Sequence, residues 1–393
     1  MAHWRERYIE TQMKAALKWA PCLVLIGMRQ TGKTSLIKRL AKKYLTFDDD
    51  ALAGTFSRKG AMILQEGPFP LALDEAQKYS PLFNLLKIQI DLKKQPGKFL
   101  VTGSVRFSQK KNIRESLTGR TAPFELYPLS VAEAHEQVHS NWIETLLCGP
   151  TEKWISQLER KVWATLSIIE QSQKTGGLPG ICFKRDGKVR ARLFEQHLDT
   201  LLGRDIHLLS ETKLSFQTLR QLLGLSFGAQ GTPTNFASLG REVGLSAPAV
   251  RKYLQLFEGL FLLRRMNGIY YAEDQGLANH CTEVLKPTLK APWYGVLFHE
   301  LRNQIANHNF GSLLSSYSTR GGAEVPFIIT VPKIGTVALT LDIQERPTEK
   351  SIGSLGSLSK KVRGKFVGVA LHLGKTAFLT HREVLCLPLH WIF

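Results

Sequence analysis

The stretch Cys22-Leu23-Val24-Leu25-Ile26-Gly27-Met28-Arg29-Gln30-Thr31-Gly32-Lys33-Thr34 decides how this chain is read. Its first five residues are all apolar, as in a strand buried on both faces. Gly27 follows at once. A helical pattern opens at Lys33, with Leu36, Ile37 and Leu40 on one face and Lys38, Arg39, Lys42 and Lys43 opposite. Strand, Gly-x-x-x-x-Gly-Lys-Thr, helix is the context in which a glycine-rich loop wraps a phosphate chain. Gly27 and Gly32 let the backbone through Met28, Arg29, Gln30 and Thr31 curl with its N–H groups inward. The helix opening at Lys33, Thr34 and Ser35 adds the partial positive charge of its N-terminus. Residues 27–35 are therefore expected to bind nucleotide. Lys33 is expected to reach the β- and γ-phosphates of ATP, and the Thr34 hydroxyl to hold Mg²⁺.

A second element points the same way. Phe69-Pro70-Leu71-Ala72-Leu73-Asp74-Glu75 is an apolar strand ending in two adjacent carboxylates. Asp74 is placed for the Mg²⁺ shell and Glu75 to polarise a water for attack on the γ-phosphate. That pair favours hydrolysis over transfer to a substrate hydroxyl. A third strand, Lys98–Ser104, ends in small hydroxyl residues. Thr102 and Ser104 are candidates for sensing the γ-phosphate, and plain strand termination accounts for them equally.

Together with these motifs, Leu117-Thr118-Gly119-Arg120 and Tyr127-Pro128-Leu129-Ser130 follow in an order that resembles a prokaryotic branch of the AAA+ ATPases. The resemblance implies a parallel sheet flanked by helices, Mg-ATP as ligand, and Arg120 as an arginine finger that could act on a neighbouring subunit of a homo-oligomer; taken by itself, Arg120 reads more simply as a lone surface arginine. The family joins such an ATPase to a C-terminal half of poorly understood function.

Composition bounds the rest. The 393 residues suffice for two or three domains, and 43% hydrophobic with 22% charged residues is ordinary globular composition. No apolar run approaches the roughly 20 residues needed to span a bilayer, so membrane insertion is not expected. Met1–Glu10 has no secretory character, and the five scattered cysteines suggest buried thiols in a reducing compartment, so a cytoplasmic location is expected. Fifty-two basic against 33 acidic residues leave a net charge of +19, which favours polyanionic partners or simply a basic soluble protein.

Beyond Pro128 the pattern is helical through Ser130–His139 and Trp154–Gln173. Thr175-Gly176-Gly177-Leu178-Pro179 is a sharp breaker that also matches a Gly-Gly-x-Pro element of the family. Leu198–Ile206, with Gly203-Arg204-Asp205-Ile206, resembles the family pattern too, and no chemistry is assigned to it. From Thr232 to about 272, two helices meet at Gly244, and an Asn267-Gly268 hairpin follows. That order describes a winged helix-turn-helix. Arg251, Lys252, Arg264 and Arg265 suit contact with duplex DNA, mostly non-specific, because Ala247-Pro248-Ala249 offers no base-reading side chains. Such modules also dock proteins.

The last hundred residues alternate a helix, Trp293–Asn307, with strands Val325–Val331, Thr336–Ile343, Phe366–Leu373 and Ala377–Thr380. In the family this region resembles a restriction-endonuclease fold whose site combines a helix glutamate, the aspartate of Glu-Val-Asp and a Glu-x-Lys pair. Here Glu300 is present, but the other two elements read Glu324-Val325-Pro326 and Asp342-Ile343-Gln344. Proline cannot ligate metal through its side chain, and glutamine cannot supply the lysine charge. Glu300, Glu324 and Asp342 remain as acids able to gather one ion, while nuclease activity is not expected.

The domain plan is thus 1–140 for the ATPase, 141–290 for a helical and winged-helix region, and 291–393 for an eroded nuclease-like domain. Three functions fit it: an ATP-hydrolysing switch or motor, a nucleic-acid-binding adaptor set by ATP, and a docking protein that recruits a protein client.

Overall fold

The computed structural model describes residues 4–106, 118–137, 141–283, 290–308 and 312–393. Their backbone contacts form two compact units. One holds the described parts of Met1–Leu129, Leu178–Arg220 and Ala247–Leu263, the other those of Ser130–Gly177, Gln221–Ser246 and Arg264–Phe393.

In the first unit, five strands, β1 (Cys22–Ile26), β2 (Lys43–Thr46), β3 (Leu71–Asp74), β4 (Phe99–Gly103) and β5 (Thr121–Glu125), form a parallel sheet in the order β2-β3-β4-β1-β5. Parallel neighbours need crossover connections, and the helices Lys33–Leu40, Asp50–Glu66 and Pro81–Leu92 lie in the first three of them. The apolar run of β1 is buried on both faces. Leu23 and Leu25 pack with Leu36 and Ile37 of the following helix, while Cys22 and Val24 are buried on the other side. The register pairs Leu25 with Thr102 and Leu73 with Val101. The loop after β1, Asp74-Glu75 after β3 and Thr102–Ser104 after β4 therefore all emerge at the carboxyl end of one sheet, where open α/β sheets bind ligands.

The second unit is built on six strands: β8 (Leu313–Ser318), β9 (Glu324–Val331), β10 (Gly335–Leu341), β11 (Phe366–His372), β12 (Phe378–Leu379) and β13 (Leu385–Pro388). Their order is β12-β13-β11-β10-β9-β8, parallel through β10, β11 and β13 and antiparallel elsewhere. One face buries Val325, Ile328, Ala338 and Ala370 against Ile352, Leu355 and Leu358 of the helix Glu349–Ser359. The other packs Phe327, Ile329, Val337 and Val369 against Val296, Leu297 and Phe298 of the helix Ala291–His308.

The hairpin forms as β6 (Leu263–Met266) and β7 (Ile269–Ala272). Asn267 and Gly268 both have positive φ, +48° and +83°, which suits a two-residue turn of that sequence. Elsewhere local chemistry reshapes the expected elements. The helix expected over 130–139 is only the turn Val131–Ala134 closed by a Ser130–Glu133 capping box, and residues 138 and 139 lie outside the described residues. The helix expected over 154–173 divides into Trp154–Glu159 and Leu166–Thr175, because the Thr165 hydroxyl caps a new start at Ile168 N. The strand expected at 377–380 shrinks to two residues, and β8, β13 and the helix Glu349–Ser359 join those expected. Of the five free cysteines, Cys22 and Cys386 are buried, whereas Cys148 is exposed. Among the described residues no helix is long and apolar enough to cross a membrane.

Candidate functional site

The site begins with two glycines. A Cβ on Gly27 would lie 2.2 Å from the Leu126 carbonyl oxygen, so only glycine allows β1 to turn into the loop there. Gly32, with φ +98°, is the left-handed residue just before the helix Lys33–Leu40. Arg7, which no motif marked, braces the curve: its Nη1 donates to Thr31 O (2.8 Å) and its Nη2 to Tyr127 O (2.7 Å). Thr31 Oγ1 closes the turn on Met28 O at 2.9 Å.

Lys33 is buried, and its Nζ donates to Gly27 O (2.9 Å) and Met28 O (2.8 Å). Burial pulls its pKa down to about 8, against the opposing pull of Glu75 and Asp74. The ammonium thus sits inside the curve of the loop, held by carbonyls that a phosphate oxygen can replace.

Asp74 is almost wholly buried and joins three elements. Its Oδ2 accepts from Thr34 Oγ1 and from Tyr44 Oη, each at 2.7 Å. Its Oδ1 accepts from Thr102 Oγ1 and from Glu75 N. Burial and this bond together raise the Tyr44 pKa. Glu75 stands in the left-handed region at φ +52°, a conformation that costs a non-glycine residue roughly 1–2 kcal/mol and is concentrated at functional positions. Its Oε2 accepts from Ser104 Oγ at 3.2 Å and from Gln77 Nε2, and Gln77 Nε2 also donates to Ser104 Oγ at 3.0 Å. Thr34, Asp74, Glu75, Thr102 and Ser104 are therefore brought together as one hydrogen-bonded array.

A cavity of about 570 Å³ opens beside this array, within the range of roughly 300–1,000 Å³ usual for small-molecule sites. Residues 29–35 and Glu75 line it, together with Trp4, Pro179 and Phe183. The breaker Gly176-Gly177-Leu178-Pro179 thus delivers Pro179 to the cavity wall, which periodicity could not show. Asp205 was also passed over: its carboxylate lies 3.2 Å from Arg29 Nη1 in the loop. The residues present fit a magnesium nucleotide. Curved backbone and Lys33 suit the phosphates, and Thr34 with Asp74 supplies hard oxygen donors.

Arg120 does not line the cavity. It faces solvent, with Nε and Nη2 each 2.8 Å from the Asp91 carboxylate, and Leu117 of its motif lies outside the described residues. In the second unit, a cavity of about 240 Å³ brings together Glu324, Pro326, Asp342 and Gln344, with Lys290 and Lys350. The expectation that Glu300 joins these acids is overturned. Glu300 is fully buried, accepting from Val131 N (3.2 Å) and Gln304 Nε2 (3.1 Å), because a buried carboxylate requires donors. Among the described residues no three His, Cys, Asp or Glu side chains are grouped to hold a metal ion. Of the basic residues expected to meet DNA, Arg251 and Lys252 are exposed, while Arg264 is paired with Glu273 at 3.2 Å.

Comparison with known proteins agrees with the first unit. Residues 20–135 match a family model described as an AAA domain, and residues 168–280 match a domain of unknown function, DUF8612. Uncharacterized proteins of Mycobacterium tuberculosis and Mycobacterium bovis are each 24% identical over 318 residues. The match covers 75% of this chain and 65% of theirs, so the chain spans just under two thirds of these relatives. A Walker-type ATPase of Pyrococcus abyssi aligns over 69% of this chain and 94% of its own at 14% identity, with a TM-score of 0.41. A signal transduction ATPase with numerous domains, carrying a tetratricopeptide repeat sensor, from Pyrococcus horikoshii aligns over 76% of this chain and 46% of its own, at 13% identity and a TM-score of 0.26. Residues 20–135, which hold the five-stranded parallel sheet and the glycine-bounded loop after β1, thus match the AAA domain model.

Proposed function

We propose that this chain binds Mg-ATP in the 570 Å³ cavity and hydrolyses it, as a switch or motor acting on a client. The observation that carries this reading is the array in which Glu75 is held beside the loop by Ser104 and Gln77. Bound Mg²⁺ would neutralise phosphate charge as the γ-phosphoryl group leaves. Thr34 Oγ1 and the Asp74 carboxylate would hold that ion, and Lys33 Nζ would exchange its two carbonyl partners for phosphate oxygens. Two donors occupy Glu75 Oε2, so Oε1 is the atom that takes the proton of the attacking water. Thr102, hydrogen-bonded to Asp74, and Ser104, hydrogen-bonded to Glu75, would sense the γ-phosphate through these carboxylates. Arg120, on the solvent face, would complete the site of a second copy. Release of phosphate from ATP by the wild type, with loss of nucleotide binding in Lys33→Ala, tests the reading. A wild type that neither binds nor cleaves ATP would sink it.

A second reading, an adaptor for duplex DNA, is supported by the net charge of +19 and by the exposed Arg251, Lys252 and Gln255 on the helix Ala247–Gly259. Its test is binding to a random-sequence duplex that weakens steeply with salt. Absence of salt-sensitive binding at low ionic strength refutes it.

A further inference from the structure

Asp205 stands where the sequence offers no obvious role. It opens the short turn Asp205–Leu208 after the helix Gly187–Gly203, and its side chain is only 3% exposed. One oxygen faces Arg29 Nη1 at 3.2 Å and the other faces Arg204 Nε at 3.1 Å. Arg29 is the third residue of the phosphate loop and lines the cavity, with a side chain 27% exposed. An unpaired buried carboxylate would be costly, so the turn is committed to its arginines. Equally, a guanidinium held from one side keeps its remaining donors aimed in a fixed direction.

The same helix brings a second group to this place. His197 is buried, and neither ring nitrogen has a partner. Burial, helped by the charges of Arg29 and Lys33, drives its pKa down to about 3, so the imidazole is neutral. His197 therefore adds no charge beside the loop. Lys33 feels both Arg29 and Asp205, which places the carboxylate within electrostatic reach of both loop cations.

We propose that Arg29 binds the phosphates of the nucleotide and that Asp205 is the residue that positions it, so that the helix Gly187–Gly203 is coupled to nucleotide occupancy through this pair. The assignment rests on the ATP reading above. Asp205 acts only through Arg29. A polyphosphate engages the donors of Arg29 that Asp205 leaves open, so the contact already made between the turn after residue 203 and the loop bears on nucleotide affinity.

The test is a double-mutant cycle on the full chain, titrated with methylanthraniloyl-ATP and methylanthraniloyl-ADP. Arg29→Ala and Asp205→Asn should each weaken binding of the triphosphate about tenfold or more, the scale of one charge-assisted hydrogen bond. Their combination should be no worse than Arg29→Ala alone, because one residue works through the other. Asp205→Glu should recover most of the affinity. Additive losses would make Asp205 merely structural and overturn the assignment. Arg29 is partly exposed, so Arg29→Ala keeps the test open if an Asp205 variant misfolds. Wild-type binding with unchanged affinity in Arg29→Ala overturns the pair alone. A wild type that binds neither analogue overturns the ATP reading and the pair with it.

Discussion

Thr34 Oγ1 donates to Asp74 Oδ2 across 2.7 Å, tying the first helical turn after the loop to the end of β3. The same carboxylate takes Tyr44 and the fully buried Thr102, so one side chain holds together three strands of the sheet and the loop helix. Asp74→Ala would strand these hydroxyls, at about 1–3 kcal/mol for each buried group left unpaired. Its nucleotide-free melting temperature should fall by roughly 5 °C or more, and that of Asp74→Asn by less. Thermal scanning without ligand checks this. An unchanged melting temperature would mean that Asp74 is not a structural tie.

Glu75 holds its carboxylate in a left-handed backbone position with Oε2 already occupied. Glu75→Gln keeps an oxygen for Ser104 but removes the basic atom. Nucleotide affinity should stay within a few-fold, while phosphate release slows at least tenfold, about 1.4 kcal/mol in the barrier. Wild-type turnover in this variant would remove Glu75 from the mechanism.

Arg120 is engaged by Asp91 on its own chain, and the pair lowers the Asp91 pKa while raising that of Arg120. If Arg120 acts on a second copy, turnover per chain rises with protein concentration, and Arg120→Ala is inactive alone. Mixing Arg120→Ala with Glu75→Gln should then restore activity, since each supplies what the other lacks. Failure of both effects would leave Arg120 a surface ion pair.

The Lys33 pKa is lowered to about 8 in the nucleotide-free chain, mainly by burial. Above that pH the amine is neutral, and phosphate binding must first take up a proton. Affinity should be nearly flat below about pH 7 and fall by up to tenfold per unit above about pH 8. Nucleotide titrations across pH 6.5–9.5 measure the slope (about the range that brackets this titration). Lys33→Arg should flatten it, and a flat wild-type profile would place the lysine outside the phosphate contacts.

Much of the first unit was legible because its signals are local. An apolar run before Gly27, a helical stripe after Gly32 and an acidic pair after an apolar strand each lie within a few residues. The roles of Arg7, Tyr44 and Asp205 were not legible, since each meets the loop or β3 from a distant part of the chain. The second unit was less readable still. Glu300 has the helical position that the resemblance implied, yet its carboxylate turns to Val131 N and Gln304. Hydrogen-bond satisfaction in the core, invisible in the order of residues, settled that side chain.

The sequence alone determined where the phosphate loop lies, because steric freedom at Gly27 and Gly32 and the strand–helix switch are encoded by neighbours along the chain. Tertiary structure alone decided which groups surround it. Parallel strand order sets Asp74, Thr102 and Glu75 side by side, and the helix Gly187–Gly203 leads the chain to Asp205 and its contact with Arg29. Contacts between segments far apart in sequence are selected by packing and by the cost of burying an unpaired charge, and neither leaves a periodic mark on the chain.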